Sequence, residues 1–245
     1  MTEKSLLVEL CVEELPPKSR KKLGEAFGAT LFASLREQHL AGATSTLRTF
    51  ATPRRLAALV TEVAARAPDR DVEIKLVPVK VGLGANGEPT PVLLKKLQAV
   101  GADASVVPQL LQKSDGKNDT LFLARTEPGT TLAAGLQTAL DATIAALPIP
   151  KVMTYQEADG WSNVRFVRPA HRLVALHGSD VVPVQTLGLT AGRTTQGHRF
   201  EAPKATLELA DADGYETVLK RDGKVLASFD GRRQEIHRKL QLRAR

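Results

Sequence analysis

A single cysteine, Cys11, stands in 245 residues. No internal disulfide can form and no cysteine-based zinc site can be built, a usage that fits a reducing compartment. No apolar run approaches the ~18 residues that span a bilayer, and Met1-Thr2-Glu3-Lys4 leads into a strand-like segment rather than a signal sequence. A cytosolic address is the default expectation. The five histidines, His39, His171, His177, His198 and His237, show neither HxxxH nor HExxH spacing, so a metal enzyme is not expected. GxSxG and GxxxxGK[ST] are absent, which removes the commonest serine-hydrolase and phosphate-loop signatures. Nor is there a regular repeat or a low-complexity tract.

What remains is ordinary globular composition, 42% hydrophobic and 25% charged. The length fits one large domain or two small ones. The net charge of +7 is unevenly spread. Residues 220–245 hold nine basic groups against three acidic ones, leaving the rest of the chain nearly neutral. Residues 151–200 carry a milder excess, Lys151, Arg165, Arg168, Arg172, Arg193 and Arg199 against Glu157, Asp159 and Asp180, with three histidines. Two surfaces are thus candidates to meet an anion, the alternative for the tail being a solvated helix face.

Hydrophobic spacing predicts a strand over Ser5–Val12, then a helix on which Leu23, Phe27, Leu31 and Leu35 recur every fourth residue. Glu13-Glu14-Leu15-Pro16-Pro17 between them reads as a helix start, where carboxylates complement the dipole and proline loses no partner. Further strands are expected over 47–51, 56–63 and 72–81, and helices over 92–100 and 131–147. A hairpin is expected between 110–113 and 121–125 across the polar turn 114–119. Val164–Val167 reads as a strand, and Arg172–His177 and Val181–Thr186 as a hairpin joined at Gly178-Ser179. Thr206–Ala210 adds a strand, Tyr215–Lys220 a helix, and Arg232–Arg245 a basic helix whose apolar seam is only Ile236 and Leu240. Such a helix is expected to lean on a further domain or a partner. Hairpins outnumber crossovers, so the predicted class is α+β with a mixed, largely antiparallel sheet and packed helices. The expected division is a domain over 1–210 and a basic helical segment over 211–245.

Most chemical candidates have plain explanations. Gly82-Leu83-Gly84-Ala85-Asn86-Gly87 matches GxGxxG, but Glu88-Pro89-Thr90-Pro91 keeps any helix N-terminus away from the glycines, so a turn is expected. Cys11, with no adjacent base, reads as a small core residue. The informative set is Arg54 and Arg55 after Pro53, Arg165 and Arg168 flanking Phe166-Val167 before Pro169-Ala170-His171, and Arg193 leading to Gly197-His198-Arg199-Phe200. Strand alternation sends Arg165 and Arg168 to opposite faces, so at least one needs an anionic or carbonyl partner near the packed side. The planar guanidinium fork suits phosphate or carboxylate. The set therefore serves either an external anion or internal bracing against acids such as Glu9, Glu13 and Glu14, and spacing does not separate the two.

These segments resemble a known family. Leu6-Leu7-Val8-Glu9-Leu10 with Glu13-Glu14-Leu15-Pro16-Pro17, Thr52-Pro53-Arg54-Arg55-Leu56-Ala57, Leu147-Pro148-Ile149-Pro150-Lys151, Phe166-Val167-Arg168-Pro169 with His171, and Gly197-His198-Arg199-Phe200 appear in the order found in the β subunit of bacterial heterotetrameric glycyl-tRNA synthetase. The sequence departs from that family at Cys11-Val12, usually Gly-Thr, and at Thr154-Tyr155, usually Arg-Trp. The match is to the N-terminal part of family chains that continue into a helical body and an anticodon-binding region.

The resemblance implies an α+β unit similar to the B3/B4 module of the phenylalanyl-tRNA synthetase β chain. It implies a chain without catalytic residues or cofactor, the ATP and Mg belonging to the separate α subunit's active site. The expected role is tRNA recognition and scaffolding in glycine attachment to tRNA-Gly within an α₂β₂ assembly. The expected partners are the α subunit, tRNA-Gly and the remainder of the β chain. Arg54, Arg55, Arg165, Arg168, Arg193, His198 and Arg199 are the RNA-contact candidates. The alternatives are an editing hydrolase of mischarged tRNA, with His171 or His198 as base, and a module that binds only the α subunit or the rest of β.

Overall fold

A computed structural model describes residues 3–84, 86–114, 119–157 and 159–243. Along the chain run β1 (Lys4–Val12), α1 (Arg20–Glu37), β2 (Leu47–Thr52), β3 (Arg55–Val63), β4 (Arg70–Pro78), α2 (Val79–Gly82), α3 (Pro91–Ala99) and a 3-10 helix, Ala104–Gln109. They are followed by β5 (Leu111–Ser114), β6 (Asp119–Glu127), α4 (Leu132–Ala146), β7 (Met153–Gln156), β8 (Asn163–Phe166), β9 (Ala170–His177) and β10 (Asp180–Val181). The last are β11 (Gln185–Thr186), β12 (Leu189–Gly192), β13 (Thr194–Gln196), β14 (Thr206–Glu208), α5 (Tyr215–Arg221) and α6 (Phe229–Arg243). The class is α+β with mostly antiparallel pairing, as the hairpin-rich pattern predicts.

The chain divides into two compact units, Met1–Ala67 with Thr130–Arg245, and Pro68–Gly129. These divisions lie elsewhere than the expected boundary at 210, and residues 211–243 belong with the larger unit because Tyr215 and Leu219 of α5 are fully buried in one of its cores. The smaller unit is the sheet β4-β6-β5 closed by α3, with Leu76, Leu93, Leu97, Leu121 and Leu123 at its centre. Thr90 caps α3 through its side chain, and Pro91 occupies the first turn, where a missing N–H has no bond to lose.

The larger unit is built on a sheet ordered β11-β12-β9-β1-β3-β2, with β10 also on β9. Its central strand explains the long apolar run. Leu6, Val8, Leu10 and Val12 face Leu23, Phe27, Leu31 and Leu35 of α1 and Leu136 and Leu140 of α4. Leu7 points the other way, into a second core with Phe50, Leu207, Tyr215 and Leu219. A strand covered on both faces is apolar at odd and even positions alike. Glu9 is the exception, and it is wholly buried.

Some expectations give way. Glu13, Glu14, Pro16 and Pro17 do not start the helix: α1 begins at Arg20, with no acidic residue in its first turn. The preceding segment is instead held against neighbouring loops, as described below. The strand over 72–81 stops at Pro78, which has no N–H to continue a ladder, and Val79–Gly82 turns into a short helix. The strand over 181–186 is cut by Pro183 into β10 and β11 for the same reason. The expected hairpin forms as β5 and β6, residues 115–118 of its turn lying outside the described residues. In the GxGxxG segment, Ala85 also lies outside them, and Gly87 N–H bonds to Gly84 C=O as in a turn. β7, β12, β13 and the 3-10 helix were not foreseen, being short and without clear alternation. Among the described residues no helix is long and apolar enough to cross a membrane.

Candidate nucleic-acid interface

In the second core, strand register sets Cys11 opposite Arg55 on β3 and Arg172 on β9. Two residues back on β1, Glu9 faces the same side. Tyr215 Oη donates to Glu9 Oε1 at 2.7 Å, and Arg55 Nη1 lies 3.2 Å from that oxygen. Arg55 Nη2 donates to the carbonyl of Gln196 at 2.5 Å. Arg172 Nη1 donates to Thr194 Oγ1 at 2.6 Å, and Cys11 Sγ is 3.9 Å from Thr195 Oγ1. The buried ion pair thus ties the sheet to α5 and to the start of the loop after β13.

The electrostatics follow from burial and charge. Desolvation and the Glu9 carboxylate push Tyr215 well above the usual phenol range, although the Arg55 guanidinium pulls the other way. Desolvation, then Glu9, raises the Cys11 thiol to about 12. Burial lowers the proton affinity of Arg55 and is the largest single influence, but Glu9, Tyr215 and Cys11 together outweigh it and the guanidinium is held above its ordinary value. A buried neutral thiol is a packing group rather than a nucleophile.

The motif segments meet where β1, β3 and β9 end together. Val12 N–H bonds to Arg54 C=O at 2.9 Å, Glu13 N–H to Pro169 C=O at 2.9 Å, and Leu15 N–H to Pro53 C=O at 2.6 Å. These bonds hold 12–15 against loops 53–54 and 167–169. On the resulting rim, Glu13 Oε1 accepts from Arg54 Nη2 at 2.7 Å and lies 2.9 Å from His171 Nε2. Arg168 Nε donates to Glu14 C=O at 3.0 Å, and its Nη1 to Val167 C=O at 3.1 Å.

The candidate residues therefore separate. Arg54, Arg168 and His171 share the rim. Arg55 does not join them: it is 3% exposed and committed to Glu9 and Gln196, so it has no surface to offer a phosphate. Arg165 is exposed on β8 opposite Thr154. The expected alternation fails there because β8 ends at Phe166; the chain then bends, and both Phe166 and Val167 are buried. Arg193 donates to Ser179 C=O at 3.0 Å. His198 and Arg199 are exposed on the loop after β13. Tyr215 carries no local signal of this role in the sequence, because its partner Glu9 lies 206 positions away. Among the described residues, no group of three or more His, Cys, Asp or Glu could hold a metal ion.

The family model described as "Glycyl-tRNA synthetase beta subunit" matches residues 6–245. The chain belongs to that family. Its glycyl-tRNA synthetase beta subunit relatives include the "Glycine--tRNA ligase beta subunit" of Leptothrix cholodnii, 61% identical over 240 residues, covering 98% of this chain and 34% of the relative. That of Dechloromonas aromatica is 60% identical over 245 residues, covering 98% and 34%, and that of Acidovorax ebreus 58% identical over 245 residues, covering 100% and 34%. The chain thus spans about a third of the length of the curated relatives it matches. The family is one of aminoacyl-tRNA synthetase subunits.

Proposed function

We propose that this chain is a noncatalytic tRNA-recognition and scaffolding module of glycyl-tRNA ligase, supporting ATP-dependent attachment of glycine to tRNA-Gly by a separate α subunit. The observation that carries this reading is the convergence of Arg54, Arg168 and His171 on one rim, with Arg199 and His198 exposed on the loop that follows Gln196, whose carbonyl Arg55 holds. Cationic forks and imidazole N–H groups fit phosphate oxygens. The chemistry of ligation, with its ATP and Mg, is assigned to the α subunit.

The test is binding of tRNA-Gly over a salt series, beside a version ending at Gly231. Affinity that falls steeply with salt and survives the deletion supports a site in the body. Binding lost with α6 removes the rim from the reading. A second reading, attachment to the α subunit or the rest of the β chain, is favoured by α6, which exposes Ile236, Leu240 and Leu242. Binding of the α subunit without binding of tRNA selects it.

A further inference from the structure

Two aromatic side chains stand out among the exposed large hydrophobics of the described residues, Trp161 at 88% and Phe200 at 83%. Their surroundings differ. Trp161 lies in a turn where the Asp159 carboxylate accepts from its backbone N–H, and among the described residues no cation lies over its ring. Phe200 lies beside a guanidinium and an imidazole ring. The Arg199 guanidinium carbon is 5.9 Å from the Phe200 centroid, and the His198 ring meets it edge to face at 6.3 Å.

The His198 proton is placed by its neighbours. Nδ1 accepts from the backbone N–H of Phe200 at 3.3 Å and of Glu201 at 3.1 Å, so the neutral ring carries its hydrogen on Nε2. An exposed imidazole N–H, a guanidinium and an open aromatic face thus occupy three successive residues.

The mount beneath them is rigid. His198 N–H bonds to Gly223 C=O at 2.7 Å, and Ala202 N–H to His198 C=O at 3.2 Å. At Gly197 the backbone is so close to its neighbours that an added Cβ would lie 2.6 Å from Ala202 Cβ and 3.1 Å from Gly223 Cα. One residue earlier, Gln196 is gripped by buried Arg55. A phenyl ring held out in water on a fixed turn is arranged to meet a flat partner.

We propose that His198-Arg199-Phe200 is a reader of one unpaired RNA nucleotide, its base stacked on Phe200 and its phosphate met by Arg199 and by Nε2–H of His198. Base stacking on an aromatic ring with arginine beside it is how proteins hold unpaired nucleotides. The proposal rests on the tRNA reading above and adds the class of element recognised.

The experiment compares this chain with Phe200→Ala, Phe200→Trp and Arg199→Gln, using a labelled tRNA-Gly transcript and a blunt RNA duplex without unpaired nucleotides, over a salt series. Phe200→Ala should weaken tRNA binding about 5- to 100-fold with the salt slope unchanged, and Phe200→Trp should restore it. Arg199→Gln should lower the slope by about one. The duplex should not distinguish wild type from Phe200→Ala. Because Phe200 is exposed, the thermal midpoint should stay put, which separates lost contact from lost fold. Unchanged tRNA affinity in Phe200→Ala, or an equal loss on the duplex, overturns the proposal and leaves the broader tRNA reading standing. So does a loss of α-subunit binding with tRNA binding intact. A folded wild-type chain that binds neither RNA overturns the tRNA reading itself.

Discussion

Arg55 and Glu9 form an ion pair in the interior, Nη1 to Oε1 at 3.2 Å, with the two side chains 4% and 0% exposed. The pair is incompletely satisfied. Glu9 Oε2 and Arg55 Nε and Nη1 have no hydrogen-bond partner of good geometry among the described residues. Desolvating two charges costs several kcal/mol each, so such a pair contributes less to stability than its proximity implies. Its structural consequence is clearer: it joins β1, β3, α5 and the carbonyl of Gln196.

Removing one partner should be far worse than removing both. Arg55→Met strands a buried carboxylate and Glu9→Leu strands a buried guanidinium, each expected to cost about 3–5 kcal/mol in urea unfolding. The double variant Glu9→Leu with Arg55→Met strands no charge and should recover most of that loss. If the two single losses simply add in the double variant, the residues are not coupled.

Alkaline pH offers a separate probe, because the chain has only two tyrosines. Burial raises Tyr155 as well as Tyr215. The folded state therefore keeps phenol protons that the unfolded chain gives up near pH 10, and stability should fall as pH rises above that value. In Tyr155→Phe, the phenolate absorbance of Tyr215 should appear together with loss of circular dichroism, not before it. Cys11, at about 12, should likewise resist iodoacetamide at pH 8 until urea is added. Labelling of the native protein at that pH would contradict its buried placement.

The residues that were readable from sequence are those whose neighbours are local or periodic. The fourfold spacing of Leu23, Phe27, Leu31 and Leu35 identifies the buried face of α1, and Thr131 followed by an apolar period identifies α4, whose N-cap it is. The doubly buried run of β1 is legible as a strand, and its lone Glu9 as an internal acid. What was not legible depends on distant pairing. Glu13, with Pro16 and Pro17 after it, reads locally as a helix-dipole residue, yet its carboxylate is engaged by Arg54 and His171, 41 and 158 positions away in the chain. Arg54 and Arg55 are adjacent and identical in type; strand register alone puts one on the rim and the other in the core.

Gly197 should tolerate no side chain. Gly197→Ala would place Cβ 2.6 Å from Ala202 Cβ and 3.1 Å from Gly223 O, pushing the loop off its His198–Gly223 hydrogen bond. A loss of roughly 1–3 kcal/mol is expected from such overpacking. Adding Ala202→Gly removes the closer clash but not the backbone one, so thermal unfolding should show partial recovery. Full wild-type stability in Gly197→Ala would mean the loop is free to shift.

Glu13 provides the sharpest test of the rim, because it restrains the groups proposed to meet phosphate. Its single oxygen Oε1 engages both Arg54 and His171. These side chains are about 28–39% exposed, so the ion pair is screened and contributes little to folding. Glu13→Gln removes a negative charge next to the proposed RNA path and frees the Arg54 fork. Affinity for tRNA-Gly should therefore rise several-fold at low salt, with a steeper salt dependence and a nearly unchanged thermal midpoint. Arg54→Gln should do the opposite, weakening binding and flattening the slope by about one. The two changes also separate an electrostatic role from a bracing one. If Glu13 chiefly positions Arg54, as the shared backbone bonds of 12–15 with 53–54 allow, then Glu13→Gln should weaken binding as Arg54→Gln does, and a lowered melting temperature should accompany it.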